Sequence, residues 1–183
     1  MVFDVDGFVE RCIEARAEVS PHLAVRDLLD EAVADPGAVR AVFGEQSAGM
    51  TMLHQAEDLT IVHLVWAPHM RLYPHDHRMW ACIGLYAGRE DNTFFRRDGE
   101  QAVESGGKTL VERDVALLGD DTVHAVHNPL DRYTAAIHVY GGDFVNQERS
   151  QWNPETLTEE PFDLAVAQAQ FAEAEATFRS STC

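Results

Sequence analysis

The segment of this chain best equipped for chemistry is Pro74-His75-Asp76-His77. On a strand, residues two apart face the same way, so His75 and His77 project together. Two imidazoles within reach of one ion form half of a first-row metal site. A second segment, Val123-His124-Ala125-Val126-His127-Asn128-Pro129, follows an acidic, glycine-containing turn. Alternation puts His124 and His127 on opposite faces, so they compete to be the third ligand. Three unpaired inward imidazoles in a closed apolar interior are implausible, since an unsatisfied buried polar group costs about 1–3 kcal/mol. A metal ion removes that cost, and so does a carboxylate or water network. Of the nine histidines, His63 and His138 also fall on expected strands, whereas His22, His54 and His69 read as peripheral.

Short β-branched runs are expected to form the strands that position these residues. They lie around 59–66, 70–77, 79–87, 92–97, 109–111, 115–118, 123–128 and 133–140. Turn chemistry separates them at Ala87-Gly88, Arg97-Asp98-Gly99, Ser105-Gly106-Gly107, Gly119-Asp120-Asp121 and Asn128-Pro129. Carried on from His77, strand parity puts Met79, Ala81, Ile83 and Leu85 inward, and Trp80, Cys82 and Tyr86 outward. Many short strands at this spacing predict a sandwich or barrel. Amphipathic, acidic helices are expected over residues 5–19, over 23–33, and again from the Asp35-Pro36-Gly37 turn to Phe43-Gly44. The 183 residues thus read as one domain: a helical cap (1–48), a β-barrel (49–145), and an irregular segment with a final helix from about Pro161 to Phe178 (146–183).

Composition narrows the function classes. Fourteen Lys and Arg against 31 Asp and Glu give a formal charge of -17, which argues against nucleic acid and against anionic lipid. No apolar run approaches the roughly 20 residues of a membrane span, and the first residues lack a basic and then apolar signal. Cys12, Cys82 and Cys183 are too few for a disulfide framework, so a cytoplasmic location is expected.

His75, His77 and Gly88, followed by His124 and Asn128, resemble the two motifs of the cupin family. The resemblance implies an all-β double-stranded β-helix, a jelly-roll-like barrel, here with N-terminal helices and a C-terminal helix. It also favours His124 over His127. Ala81 or Cys82 stands where many cupins carry a glutamate ligand, and Asp121 replaces a glycine of the second motif. The implied ligand set is therefore three histidines without a carboxylate. Residues 133–143, Tyr-Thr-Ala-Ala-Ile-His-Val-Tyr-Gly-Gly-Asp, are similar to the thiol dioxygenase branch, which includes cysteine and 3-mercaptopropionate dioxygenases. The likeness spans roughly residues 50–145. Within it, Gly88-Arg89-Glu90-Asp91-Asn92 and Ile137 to Asp143 are more similar to an uncharacterised bacterial branch of cupin metalloenzymes.

The thiol dioxygenase branch implies iron(II) held by His75, His77 and His124, with nickel, zinc or manganese as alternatives, and a Ser, His, Tyr relay on a late strand. His138 and Tyr140 match the relay, while Ala136 stands in the serine position. The implied substrates are a small-molecule thiol and dioxygen, with a sulfinate as product. Tyr140, oriented by His138, would hydrogen-bond to the oxygen. A cross-link from Cys82 to Tyr140 requires a bulge, because alternation points Cys82 outward. Arg71, which shares the parity of His75 if the strand is unbroken at Pro74, and Tyr73 are the candidate substrate contacts. Arg78, Arg89, Arg96, Arg97 and Arg132 are unranked alternatives. The stretch Met50-Thr51-Met52-Leu53-His54 lacks the arginine that holds a substrate carboxylate in the animal enzymes. Two rival readings share the fold: cleavage of a carbon–carbon bond in a diketone-like substrate, and a non-catalytic cupin that senses or stores a ligand. A monomer or a homodimer is expected.

Overall fold

The computed structural model describes residues 3–44 and 46–181; Cys183 lies outside them. Three helices come first: α1 (Val5–Ala15), α2 (Pro21–Val33) and α3 (Pro36–Phe43). α1 ends at Ala15, short of the expected residue 19, and Ser20 before Pro21 is non-helical as the N-cap of α2. α2 and α3 each open on proline, whose missing N–H costs nothing in a first turn. The Asp35 carboxylate caps α3 by accepting from Ala38 N at 3.2 Å.

Eleven strands follow among the described residues. They are β1 (Gly49–Gln55), β2 (Thr60–Trp66), β3 (Arg71–Asp76), β4 (Ala81–Ala87), β5 (Arg89–Asp98), β6 (Gln101–Val111), β7 (Val115–Leu118), β8 (Val123–His127), β9 (Thr134–Tyr140), β10 (Ser150–Trp152) and β11 (Glu159–Pro161). The pairings are antiparallel and nested: β5 with β6 at the centre, then β4 with β7, β3 with β8, and β2 with β9. A long hairpin wound on itself in this way is a jelly roll, the double-stranded β-helix. Its two sheets run β1-β2-β9-β4-β7 and β11-β10-β3-β8-β5-β6.

Alternation divides the apolar residues between two layers. Val62, Leu64, Ile83, Leu85 and Ala136 fill the barrel with Leu110 and Val126 of the other sheet. Ile61, Val65, Cys82, Tyr86, Ile137 and Val139 face outward and pack under Phe8, Val25, Leu29 and Val33 of the helices. Gly84 permits that approach, since a Cβ there would lie 3.0 Å from Leu29 Cδ2 and 3.1 Å from Val33 Cγ1. The final helix α4 (Leu164–Ser181) begins after the expected Pro161, at a cap where Asp163 Oδ1 accepts from Ala165 N. It buries Ala167 and Phe171 against the barrel, with the Phe171 ring 4.9 Å from that of Trp66.

Three features depart from the sequence reading. β6 does not turn at Ser105-Gly106-Gly107 but runs through it, Ser105 being an extra residue opposite the Phe94–Phe95 step. Residues 150–152 and 159–161, expected to be irregular, form β10 and β11 and extend the sheet beyond β3. β3 carries a bulge between Leu72 and His75, where Pro74 has no N–H for the ladder. Among the described residues no helix is long and apolar enough to cross a membrane.

Candidate metal centre

His75 on β3 and His124 on β8 are cross-strand partners, and His77 follows just past the end of β3. One ligand atom from each lies within 4.8 Å of those from the other two. The Nε2 atoms of His77 and His124 are 3.4 Å apart, a separation open to two ligands each about 2.1 Å from one ion. All three rings are buried. Burial pushes the pKa of His75 down to about 4 and those of His77 and His124 well below the usual histidine range. The imidazoles are therefore neutral at pH 7, with lone pairs available to a cation.

Neighbouring groups already orient two of the rings as a metal requires. His75 Nδ1 is 3.0 Å from the Tyr73 carbonyl and His124 Nδ1 is 2.7 Å from Asn92 Oδ1. Each Nδ1 donates, so each Nε2 keeps its lone pair for the centre. His77 Nδ1 has no partner. Between His75 and His77, the fully buried Asp76 points the other way. It accepts from Ser150 N at 2.8 Å, pairs with Arg78 at 2.6 Å, and is bonded by Arg97. The donor set and its supports fit a metal ion.

His138 and Tyr140 project from β9 into the same space. The Tyr140 hydroxyl is 3.1 Å from His138 Nδ1, and its ring lies 5.1 Å from that of His77. Burial raises the Tyr140 pKa, which keeps the phenol protonated, and lowers that of His138 to about 3. The cavity, about 30 Å³, is lined by the three histidines, His138 and Tyr140 on its polar side. Met50, Leu64, Phe144, Phe162 and Phe171 are among its apolar walls.

Other expected site residues lie elsewhere. The bulge at Pro74 inverts parity, so Leu72 lines the cavity with His75 while Arg71 is exposed opposite His127. Arg71 is thus not brought to the histidines. Tyr73 is buried, but its ring rests against Phe162, at 6.5 Å between centroids, and does not line the cavity. Its contribution is the carbonyl that holds His75. Cys82 faces the helices, with Sγ 3.3 Å from the His22 carbonyl, and a cross-link to Tyr140 is thereby excluded. Asn128 donates to the Ala67 and Arg132 carbonyls and fastens loops rather than the centre.

Two residues that sequence reasoning passed over stand beside the site. Glu90, fully buried, accepts from Asn92 Nδ2 at 2.9 Å and from Trp66 Nε1 at 3.1 Å, and its Oε2 is 4.0 Å from His138 Nε2. Two polar residues, Glu90 and Asn92, at alternate positions on an otherwise half-buried strand were the available signal. Arg149, 7% exposed, is sandwiched between Phe144 and Phe162 at 3.9 and 3.8 Å. Its Nη1 has no hydrogen-bond partner. Nothing in the periodicity of its irregular segment marks it.

Fold and site together define a double-stranded β-helix protein with a buried three-histidine group able to hold a metal ion. No family model matches the chain. Solved structures similar to it include an RmlC-like cupin family protein with a double-stranded β-helix fold from Methanocaldococcus jannaschii, at 12% identity and a TM-score of 0.45, covering 56% of this chain and 88% of that one. A Bacillus halodurans protein is similar at 14% identity and a TM-score of 0.49, covering 57% and 77%. A conserved protein with a double-stranded β-helix domain from Klebsiella pneumoniae is similar at 13% identity and 0.46, covering 59% and 83%. The nested strand pairing of this chain itself carries the fold assignment.

Proposed function

We propose that this protein is a mononuclear non-haem iron(II) dioxygenase that oxidises a small anionic thiol, R–SH + O2 → R–SO2H. The observation that carries this reading is the three-imidazole face of His75, His77 and His124, which opens onto the Tyr140 hydroxyl. Iron(II), held by the three neutral imidazoles, would supply the activation of dioxygen and would lower the pKa of the thiol.

The remaining roles belong to the chain. Tyr140, protonated and wedged against Phe144 at 4.1 Å, offers its hydroxyl to the reacting oxygen, and His138 Nδ1 orients it. Arg149 retains its charge, since burial lowers its pKa only to about 10. A guanidinium with an unsatisfied nitrogen between two apolar rings is a seat for a substrate carboxylate, and it replaces Arg71 in that role. Phe162 lines both the cavity and the outer groove that Arg149 shares. A substrate entering from the groove therefore passes the cation. The volume of about 30 Å³ restricts the site to small molecules, and a thiol substrate needs the side chains around it to yield on entry.

Absence of a carboxylate-binding arginine would favour diketone cleavage, and Arg149 removes that ground. Anaerobic loading with iron(II), followed by oxygen uptake and product analysis, tests the proposal. Cysteine and 3-mercaptopropionate should give sulfinate, while cysteamine, which has no carboxylate, should react poorly. Arg149→Met should raise KM for the acidic thiols about tenfold or more, as expected when a charged hydrogen bond is lost. Turnover of a diketone alone would favour carbon–carbon cleavage. Stoichiometric metal with no oxygen uptake would indicate a ligand-binding protein instead.

A further inference from the structure

The hydroxyl of Tyr140 serves the cavity only if its proton points there, and the tautomer of His138 decides that. If Nδ1 carries the proton, it donates to the phenol oxygen and the hydroxyl proton is free for the cavity. If Nε2 carries it, Nδ1 accepts from Tyr140 and the proton is withheld. His138 Nε2 is buried without a hydrogen-bond partner. Ala136, two residues back on the same face of β9, has no polar side-chain atom to offer. The near polar group is Glu90 Oε2 at 4.0 Å, about 1 Å beyond hydrogen-bond distance.

We propose that Glu90 is a positioning residue that selects the tautomer of His138 and thereby the direction of the Tyr140 hydroxyl. Once the two side chains close that gap of about 1 Å, a protonated Glu90 donates to Nε2, which places the ring proton on Nδ1 and turns the Tyr140 proton to the cavity. An ionised Glu90 accepts from Nε2–H and reverses both. The same carboxyl reaches the centre by a second path, since Asn92 donates to Glu90 Oε1 and accepts from His124 Nδ1.

The surroundings of Glu90 suit such a switch. Trp66 faces it from β2, Asn92 from its own strand, and His138 and Tyr140 from β9; Leu110 is its partner on β6. Among the described residues no Lys or Arg pairs with it. Burial accordingly raises its pKa to about 7, against the two hydrogen bonds that favour ionisation.

This inference deepens the dioxygenase reading and rests on it for the use of Tyr140, but its primary test needs no metal. Two-bond proton–nitrogen correlation spectra of metal-free, 15N-histidine-labelled protein report ring tautomers directly, with His138 assigned by its loss in His138→Gln. Wild type should show the Nδ1–H form at pH 6 and chiefly Nε2–H at pH 8, the first form falling about tenfold for a pKa near 7. Glu90→Gln, which still donates, should show Nδ1–H at both pH values. His124, tied to Asn92, should remain Nδ1–H throughout. An identical His138 tautomer at pH 6 and pH 8 in wild type would overturn the proposal, and so would a wild-type pH response in Glu90→Gln. If the tautomer follows Glu90 while the iron-loaded protein oxidises no thiol, the coupling stands and the functional reading fails.

Discussion

Each candidate ligand is steadied by a different kind of neighbour, so the three differ in what disturbs them. His75 is held by a carbonyl of its own strand and His124 by a side chain of another, while His77 Nδ1 has no partner. Asn92 is therefore the support most open to mutation. Asn92→Ala should weaken metal binding about 10- to 100-fold, the usual effect of losing a group that orients a ligand histidine. His127→Ala should leave affinity unchanged, because His127 sits on the opposite face beside Arg71 and Asp91. Chelator competition measures both, and equal affinity in Asn92→Ala and wild type would remove Asn92 from the site. At this scale the sequence was readable wherever chemistry and strand parity agreed, as for His75, His77, His124, His138 and Tyr140. It was unreadable where a residue's partner is distant in sequence. Glu90 acquires meaning only beside His138, 48 residues on, and Arg149 only between Phe144 and Phe162.

Strand β3 shows why parity arguments have a range. They extend forward from His77 into β4, where Ala81, Ile83 and Leu85 face the barrel and Cys82 and Tyr86 face the helices. Backward they stop at Pro74, because the bulge adds a residue and turns Arg71 to solvent. β6 makes the same point at Ser105, where glycines that resemble a turn relieve a bulge inside a long strand. Fixing the bulged end of β3 falls to Asp76, whose carboxylate ties the His-x-His segment to Arg78, Arg97 and β10. Asp76→Ala should cost about 3 kcal/mol in urea unfolding, the low end for a broken buried pair because both arginines reach solvent. It should also weaken metal binding, since His75 and His77 share that anchor. A variant as stable as wild type would show that the arginines find water instead.

Viewed as a whole, the molecule places a second histidine–tyrosine pair on the far side of the same sheet. His63 Nε2 lies 2.5 Å from the Tyr86 hydroxyl and its ring stacks on Phe43 at 3.9 Å, beneath the helical cap and outside the cavity. The charge of -17 is a property of the exterior, where screening over about 8 Å at physiological salt leaves it little hold on buried groups. Acid sensitivity should therefore come from inside. Burial lowers the pKa of His63 to about 4 from the 6.5 of an exposed histidine. Between those values the unfolded chain binds the proton and the folded protein does not, so stability falls as pH falls from 6.5 to 4. The contribution of His63 to that loss is about 3 kcal/mol, at 1.36 kcal/mol per pKa unit. His63→Gln, which keeps a hydrogen-bonding group for Tyr86 but does not titrate, isolates this residue from the other buried histidines. Its stability in urea should gain on wild type by about that amount across the interval, and parallel curves would mean that His63 takes up its proton without unfolding the cap.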